Sequence, residues 1–344
     1  MSITYQQSGV NIDAGNESVR RIKELVKKTF DRNVLSGIGG FGSMYDIHEF
    51  TKGYKHPILV QSTDSVGTKV MIASAMDKYD TIGRDIVAHS CDDVLAMGAR
   101  PITFLDYIAA NKIIPGKIEK IVSGIADACA ESGVSLVGGE TAELGGVYAQ
   151  GEFDLVGAVA GIVEKDKIIT GAKIQPQDAA LGLPSSGLHT NGYSLARKLF
   201  FEIGGYKVSS KIDELHTTVG EALLTSHINY TNAIFEILDS GLEIKGLAHI
   251  TGGGFIENIP RMLPAHCAIE INKGSWPILP VFEVMREIGS LEEREMFRTF
   301  NMGIGMVVIV APGDVDSIIN SCKTNVYKIG QVIKKTTSES VLIL

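Results

Sequence analysis

One stretch constrains this chain more than any other. A short apolar run at 57–61 passes through Ser62-Thr63-Asp64-Ser65-Val66-Gly67-Thr68-Lys69 directly into the apolar residues 70–76. The first run reads as a strand and the second as a helix, so a carboxylate, a glycine and a lysine share one strand-to-helix turn. Such a turn presents backbone N–H groups and a helix N-terminus to an anion. Asp64 is placed to hold a divalent cation, and Lys69 to meet a phosphate that the cation bridges. A capped surface turn is the competing reading, and one turn alone does not decide between them.

The chain has 344 residues, enough for two domains with separate cores. A net charge of -8 argues against non-specific nucleic-acid binding. No apolar run is long enough for a bilayer, and residues 1–5 carry no signal-peptide core. Cys91, Cys129, Cys267 and Cys322 are far apart, with no C-x-x-C pair. They suit thiols in a reducing cytoplasm better than disulfides or a zinc site. The expectation is a cytoplasmic protein with neither membrane nor nucleic acid as partner.

Residues 16–30 have the period of an amphipathic helix, with Val19, Ile22, Leu25 and Val26 on one side, while 5–14 have no period and are expected to run extended. Beyond a glycine loop at 37–42, residues 44–48 read as a strand. Strands follow at 58–63, 102–109, 134–137 and 153–163, with helices from Val70, at 81–97 and at 118–131, the last ending at Gly133. The polar segment 166–178, with Gly171 and Pro176, marks a boundary between domains 1–170 and 171–344. The second half predicts strands at 179–183, 244–250, 267–271, 305–310, 327–333 and 340–344. Its helices are expected at 192–201, 219–238, 255–262, 281–288 and near 315–321. The alternation is not strictly βαβ, so the class is α+β in two domains, the first built on an α/β sheet.

Helix 81–97 places Ile82, Ile86, Ser90, Asp93 and Met97 on one stripe, which sets Asp93 in a face expected to be buried. His89 lies beside that stripe, and Asp85 and Asp92 share the next. An ion pair with Arg84 or Arg100 would satisfy one acid, but three acids outnumber the nearby cations. Hard oxygen ligands favour magnesium. Glu140, after Gly138-Gly139, is a further acid at a strand end, and Asp106 lies within strand 102–109. Asp64, Asp93 and Glu140 together fit a cluster for Mg²⁺ and a nucleoside triphosphate.

The loop 37–42 matches G-x-G-x-x-G but lacks the strand before it and the helix after it that a dinucleotide site needs. It reads as a flap over phosphates or as a plain flexible loop. In the second half, Pro184-Ser185-Ser186-Gly187-Leu188-His189-Thr190-Asn191-Gly192 is dense in hydroxyls and amides. His189 is a candidate acid or base, and Asn191 a candidate helix N-cap. His249-Ile250-Thr251-Gly252-Gly253-Gly254-Phe255 suits a second phosphate at a helix N-terminus, or else a tight turn with a buried histidine.

Together, the segments 9–16, 37–42, 64–69, Phe104-Leu105-Asp106-Tyr107, 138–143, 185–194, 251–260 and 301–306 resemble the aminoimidazole ribonucleotide synthetase family, the phosphoribosylformylglycinamidine cyclo-ligases. The resemblance covers nearly the whole chain. It implies a homodimer in which the N-terminal sheets of two subunits join, and an ATP-dependent closure of an imidazole ring on a small ribonucleotide substrate in purine biosynthesis. The substrate's formyl oxygen would attack the γ-phosphate, an amidine nitrogen would close the ring, and phosphate would leave.

On that resemblance Asp64, Asp93 and Glu140 would hold Mg²⁺, with Asp92 or Asp106 in support. Lys69 would offset charge on the phosphoryl group, with Asp93 and His189 beside it among the catalytic residues. Lys23, Gly39, Gly40, Gly42, Asp64, Thr68, Lys69 and Glu140 would bind ATP. Ser186, His189, Asn191, Gly252, Gly253 and Gly254 would face the substrate. Two departures stand out: Ser65 where the family usually has glycine, and Ser226-His227-Ile228-Asn229-Tyr230 where it usually has Pro-Thr-Arg-Ile-Tyr. The second removes an arginine and leaves His227 or Asn229 to take its place. Selenophosphate synthetase, thiamine-monophosphate kinase and a hydrogenase maturation factor share the architecture and are the nearest alternatives. A non-catalytic nucleotide-sensing subunit is a further one.

Overall fold

A computed structural model describes residue 7 and residues 9–344. They form two compact units: residues up to Val94 with Ala99–Asp166, and Leu95–Gly98 with Lys167–Leu344.

The first unit contains α1 (Ile12–Lys27), α2 (Ile47–Phe50), β1 (Pro57–Ser65), α3 (Lys69–Met76), α4 (Asp80–Leu95), β2 (Arg100–Ala110), α5 (Pro115–Ser132), β3 (Ser135–Glu143) and β4 (Phe153–Glu164). The sheet order is β1-β4-β2-β3. Only β2 and β3 run parallel, and α5 is the crossover that a parallel pair requires. α4 lies against one face of the sheet and is buried along most of its length, with Ile82, Ile86, Val87 and Cys91 fully enclosed. The other face is open: Leu59 is 53 % and Leu105 42 % exposed, with half-buried Ala158 and Ala160 between their strands.

Three expectations change here. α1 starts at Ile12, because the Asn11 side chain accepts the Ala14 N–H and caps it there. The expected extended stretch therefore ends before residue 12; its residues 5, 6 and 8 lie outside the described set. The expected strand at 44–48 shrinks to a single bridge, Val34 to Tyr45, after which Asp46 caps α2. β3 continues through Gly138 and Gly139 to Glu143, since pairing with β2 supplies the order that two glycines withhold locally.

The second unit contains β5 (Ala179–Pro184), α6 (Tyr193–Arg197) running into a π-helical turn at Lys198–Ile203, and the small pair β6 (Lys211–Ile212) and β7 (Thr217–Thr218). Next come α7 (Val219–Leu223), α8 (Thr231–Asp239), β8 (Gly246–His249), α9 (Gly254–Asn258) and β9 (Cys267–Ile271). α10 (Pro280–Gly289), α11 (Glu293–Thr299), β10 (Ile304–Val310), α12 (Val315–Ser321), β11 (Tyr327–Lys334) and β12 (Val341–Ile343) complete it. The sheet runs β12-β9-β11-β5-β10-β8 and is antiparallel except for β12 with β9. Leu181 and Leu183 of β5, Met306 and Val308 of β10, and Ile234 and Ile237 of α8 meet in its core.

The single helix expected at 219–238 is two helices. A Thr218–Glu221 capping box starts α7, and the polar segment 225–229 interrupts the period before α8. Tyr230 closes the break, its buried hydroxyl donating to the Pro184 carbonyl at 2.8 Å. The strand pair β6–β7 and the charged helix α11 were not expected. The fold class stands as read: two mixed α/β domains of α+β character.

Candidate active site

In the first unit, strand β1 delivers Asp64 and helix α4 delivers His89 and Asp93 to one place. The Ser62 hydroxyl lies 3.3 Å from both Asp64 Oδ2 and Asp93 Oδ2, and His89 Nε2 lies 3.5 Å from Asp64 Oδ1. Burial, and then the Asp93 carboxylate beside it, push Asp64 up to about 7. Two carboxylates held this close favour a shared proton or a shared cation. A hard, oxygen-preferring divalent ion fits the pair, and an N–H donor or a neutral imidazole fits its edge. Ser62 and His89 were not picked as site residues from sequence; the signal for Ser62 was its i, i+2 relation to Asp64 on a strand.

Not every expected residue joins them. Asp64 pairs across the sheet with Gly157, Gly157 with Asp106, and Asp106 with Gly139. Side chains in one such row share a face, so Asp64 and Asp106 point the same way. Glu140, one residue on, pairs with Tyr107 and points to the opposite, open face, where it is exposed. The alternation of the strand thus separates Glu140 from Asp64 and Asp93, and the three-acid cluster is corrected to two. Asp106 is the better-placed third acid: burial raises it to about 7. A Cβ at Gly139 would come within 2.2 Å of Asp106 Oδ1, so only glycine leaves room for that carboxylate.

Lys69 also departs from expectation. Its ammonium is fully buried and lies 2.7 Å from Asp85 Oδ2, itself fully buried. Burial lowers the Lys69 pKa, and Asp85 works against that shift. Lys69 therefore answers one of the surplus acids on α4 and does not reach into open space to meet a phosphate. Of the two arginines weighed as partners for those acids, Arg84 and Arg100, Arg84 pairs with Glu131. Thr68 is half-buried at the start of α3, after Gly67 in the left-handed region (φ 62°). Gly39, Gly40 and Gly42 sit in an exposed loop closed at its base by the Leu35 N–H to Met44 carbonyl bond of 2.9 Å. Lys23 is exposed on α1.

In the second unit, three loops converge. Ser186 N–H donates to His189 Nε2 at 3.3 Å, and the Ser186 hydroxyl donates to the Ser226 carbonyl at 2.5 Å. His189 adopts φ 62°, a left-handed conformation that costs a non-glycine residue about 1–3 kcal/mol, and its ring is stacked on His227 with centroids 3.8 Å apart. A Cβ at Gly305 would lie 2.6 Å from His189 Cε1 and 2.1 Å from the Tyr230 hydroxyl, so glycine at 305 is what admits both rings. His189 is buried, and its role as an acid or base open to a ligand has no support in that geometry.

Asn191 does not cap α6; Gly192 does, with φ 78°. Asn191 is half-buried, and a Cβ at exposed Gly252 would lie 3.3 Å from its Oδ1, so the two form one surface. Beneath that surface the buried Asn258 amide donates to the carbonyls of Thr251, Gly252 and Gly254 at 2.9–3.2 Å. Gathering the carbonyls on one side favours an anion on the other, though the Gly254 N–H is itself taken by the Thr251 carbonyl at 2.9 Å. Asn258 escaped the sequence reading, since an amide next to Glu257 in Phe255–Ile259 carries no signal of its own.

Two family models account for both units: the AIR synthase related protein N-terminal domain over residues 53–163 and the corresponding C-terminal domain over 175–343. A phosphoribosylformylglycinamidine cyclo-ligase of Alkaliphilus oremlandii is 48% identical over 97% of this chain and 98% of its own. Among solved structures, a thiamine-monophosphate kinase of Stenotrophomonas maltophilia matches with a TM-score of 0.66 at 17% identity, covering 95% of each chain. A hydrogenase maturation protein HypE in complex with ATP matches with a TM-score of 0.64 at 16% identity, covering 95% of this chain and 90% of its own. At such identities these two speak for the fold alone. The domain models and the near full-length relative go further: the chain belongs to the AIR synthase family, that of the phosphoribosylformylglycinamidine cyclo-ligases.

Proposed function

We propose that this chain is the ATP-dependent cyclo-ligase that converts formylglycinamidine ribonucleotide to 5-aminoimidazole ribonucleotide, ADP and phosphate. The family membership supplies the reaction. The observation in the chain itself that carries the reading is the convergence of Asp64 and Asp93 on Ser62, a carboxylate pair suited to Mg²⁺ on a triphosphate. An ATP complex is known for HypE, which shares the fold. Residues 1–170 are read as the ATP-binding and dimerisation domain, and 171–344 as the α+β domain that takes the substrate.

Asp64 and Asp93 would hold the cation, with Asp106 in support; bound there, Mg²⁺ would spread charge off the transferring phosphoryl group. Thr68, Lys23 and the loop of Gly39, Gly40 and Gly42 would contact the nucleotide. Lys69 would serve by fixing Asp85 and the start of α3. Asn191, Ser186 and the turn at Gly252, Gly253 and Gly254 would face the ribonucleotide, with the N–H groups of Gly252 and Gly253 left for its phosphate. Attack by the formyl oxygen on the γ-phosphorus breaks the bond to ADP. The amidine nitrogen then adds to the activated carbon and phosphate departs with that oxygen. Phosphorylation makes a poor leaving group into a good one, which is why ATP is spent.

The assay supplies ATP, Mg²⁺ and formylglycinamidine ribonucleotide and measures ADP and the aminoimidazole product together. Equal yields of both are expected. ADP without ring product would point to a kinase-like relative, and neither product to a non-catalytic protein.

A homodimer in the cytoplasm is part of the same reading. The open sheet face, bounded by edge strand β1, leaves Leu59 and Leu105 exposed beside polar residues such as Glu140, and a second copy would cover those two leucines. Sedimentation velocity should show a dimer that L105K converts to monomer; a wild-type monomer at micromolar concentration would refute it.

A further inference from the structure

Asn301 stands in the short corner between α11 and β10 and is 3 % exposed. Both ends of its amide are engaged. Oδ1 accepts the Ser185 hydroxyl at 2.9 Å and the Gly303 N–H at 3.0 Å, and Nδ2 donates to the Gly187 carbonyl at 2.8 Å. The Ser185 N–H in turn donates to the Gly303 carbonyl at 2.9 Å. β5 and β10 are antiparallel neighbours whose pairing ends at Pro184 and Ile304. Beyond that rung the Asn301 side chain continues the ladder in place of backbone and ties 301–303 to 185–187.

The polarity of that amide is not free. The Gly303 N–H can only donate and the Gly187 carbonyl can only accept, so Oδ1 must face the first and Nδ2 the second. The corner also carries strain. Met302 is buried with φ 49°, a left-handed conformation that persists only where its surroundings over-determine it. The Asn301 bond to Gly303 holds it from one side, and the Trp276 indole N–H, donating to the Met302 carbonyl at 2.8 Å, from another. Between the two residues that Asn301 grips lies half-buried Ser186. Its hydroxyl hydrogen is given to the Ser226 carbonyl, so Oγ is left to accept from a ligand that reaches it.

We infer that Asn301 is a positioning residue: its amide fixes Ser185 and Gly187, and so holds Ser186 Oγ as an acceptor for an N–H of the ribonucleotide's amidine. The inference rests on the reading that loop 185–194 faces that substrate. An amidine presents N–H donors and an ionised phosphate presents none, so an acceptor-only hydroxyl suits the reacting end of the ribonucleotide and not its phosphate. A side chain that merely filled the corner would need no donor toward Gly187; one that positions the loop does.

The test follows the aminoimidazole product with the full chain at pH 8 and pH 6, each variant divided by the wild type at the same pH. That ratio cancels the titration of the substrates and of His189, which meets the Ser186 N–H. N301D keeps the acceptor for Gly303 but sets a second carboxylate oxygen against the Gly187 carbonyl; protonation of that buried carboxyl restores a donor there. N301L removes every polar contact. At pH 8 N301D should raise KM for the ribonucleotide about tenfold with KM for ATP unchanged, and at pH 6 by less than about threefold. N301L should be impaired equally at both. S186A/N301D should be no worse at pH 8 than the worse of its two single variants, because one residue acts through the other. KM factors that multiply in the double variant overturn the inference, as does an N301D factor that is the same at pH 6 and pH 8. If N301L does not fold, N301D and the S186A pair decide. A wild type that forms no ring product overturns the functional reading and takes this inference with it, whereas either of those outcomes with an active wild type overturns this inference alone.

Discussion

The two units solve the problem of buried polarity in opposite ways. In the first, Asp64 and Asp93 hold two groups of like sign close together, and burial, then the Asp93 carboxylate, push the Asp64 carboxyl up to about 7. In the second, the buried polar groups answer one another: Asn258 gathers three carbonyls, Asn301 takes the Ser185 hydroxyl and the Gly303 N–H, His227 meets His249, and the buried Asp178 carboxylate is paired with Lys245 at 2.6 Å. The first arrangement is held in place by packing yet electrostatically costly, so it should respond to cations and to pH. The second is for the most part paired within itself, so it should respond to shape. Charge set against a carboxylate neighbour suits a metal-bound triphosphate, while neutral donors fixed in place suit recognition of a sugar phosphate and an amidine.

The hardest way to break this contrast is to remove one acid. D93N should lower ATP-dependent turnover about a thousandfold, a loss of about 4 kcal/mol of transition-state stabilisation. In metal-free buffer the same variant should melt no lower than the wild type, because a like-charge contact has gone. Coupled ADP release and a thermal melt check both halves. Turnover within tenfold of the wild type would remove Asp93 from the cation site.

Lys69 sharpens the comparison, since it is a charge in the first unit that the chain does neutralise. K69M strands Asp85 in a fully buried position and should cost about 3–5 kcal/mol in denaturant unfolding. K69M/D85L, which removes both charges, should recover much of that loss. Had Lys69 met the phosphate directly, the loss would fall on turnover with stability spared.

How far the sequence reaches follows from the same contrast. Most strands and helices were legible because their apolar period survives into the fold: 267–271 matched to the residue, and 179–183 and 305–310 to within one. The strand β3 was cut short because Gly138 and Gly139 carry no local preference, and only the neighbouring β2 makes them strand. Asp93 was legible as a misplaced acid on an apolar stripe. The exclusion of Glu140 was not, because it depends on cross-strand register, and a shift of one residue reverses the face. The Lys69–Asp85 pair was equally invisible, as nothing in spacing tells which of three acids a lysine sixteen residues away will choose. Asn258 acts on the turn before its own helix and His227 through contacts between loops, and neither role leaves a mark on the apolar period.

A change of shape in the second unit should cost less than K69M. In G305A the new methyl meets the Tyr230 hydroxyl and the His189 ring, and the loop that carries His189 at φ 62° has little room to yield. Overpacking of this kind costs about 2 kcal/mol. Denaturant unfolding should show that loss, and turnover should fall through KM for the ribonucleotide. Nucleotide binding in the first unit, followed by fluorescent-ATP titration, should hardly change. An equal loss of nucleotide affinity would contradict the division of labour between the units.

The smallest effect is the pH dependence of stability, and its sign separates the two designs. Asp64 has a folded-state pKa of about 7 against an ordinary carboxylate value of 3.8, so between about pH 4 and 7 the native state holds a proton that the unfolded chain has released. Its contribution is therefore favourable at low pH and is lost as the pH rises through that window. Asp106, raised to about 7 by burial, adds a slope of the same sign. Metal-free wild type should lose melting temperature from pH 4 to 7 by more than D93N does, because removing Asp93 takes away the second-largest cause of the Asp64 shift. Magnesium should flatten the wild-type slope at its upper end by binding the ionised pair, and leave D93N nearly unchanged. A wild-type slope that D93N does not reduce would assign the pH dependence to burial alone and leave the carboxylate pair without a cation to share.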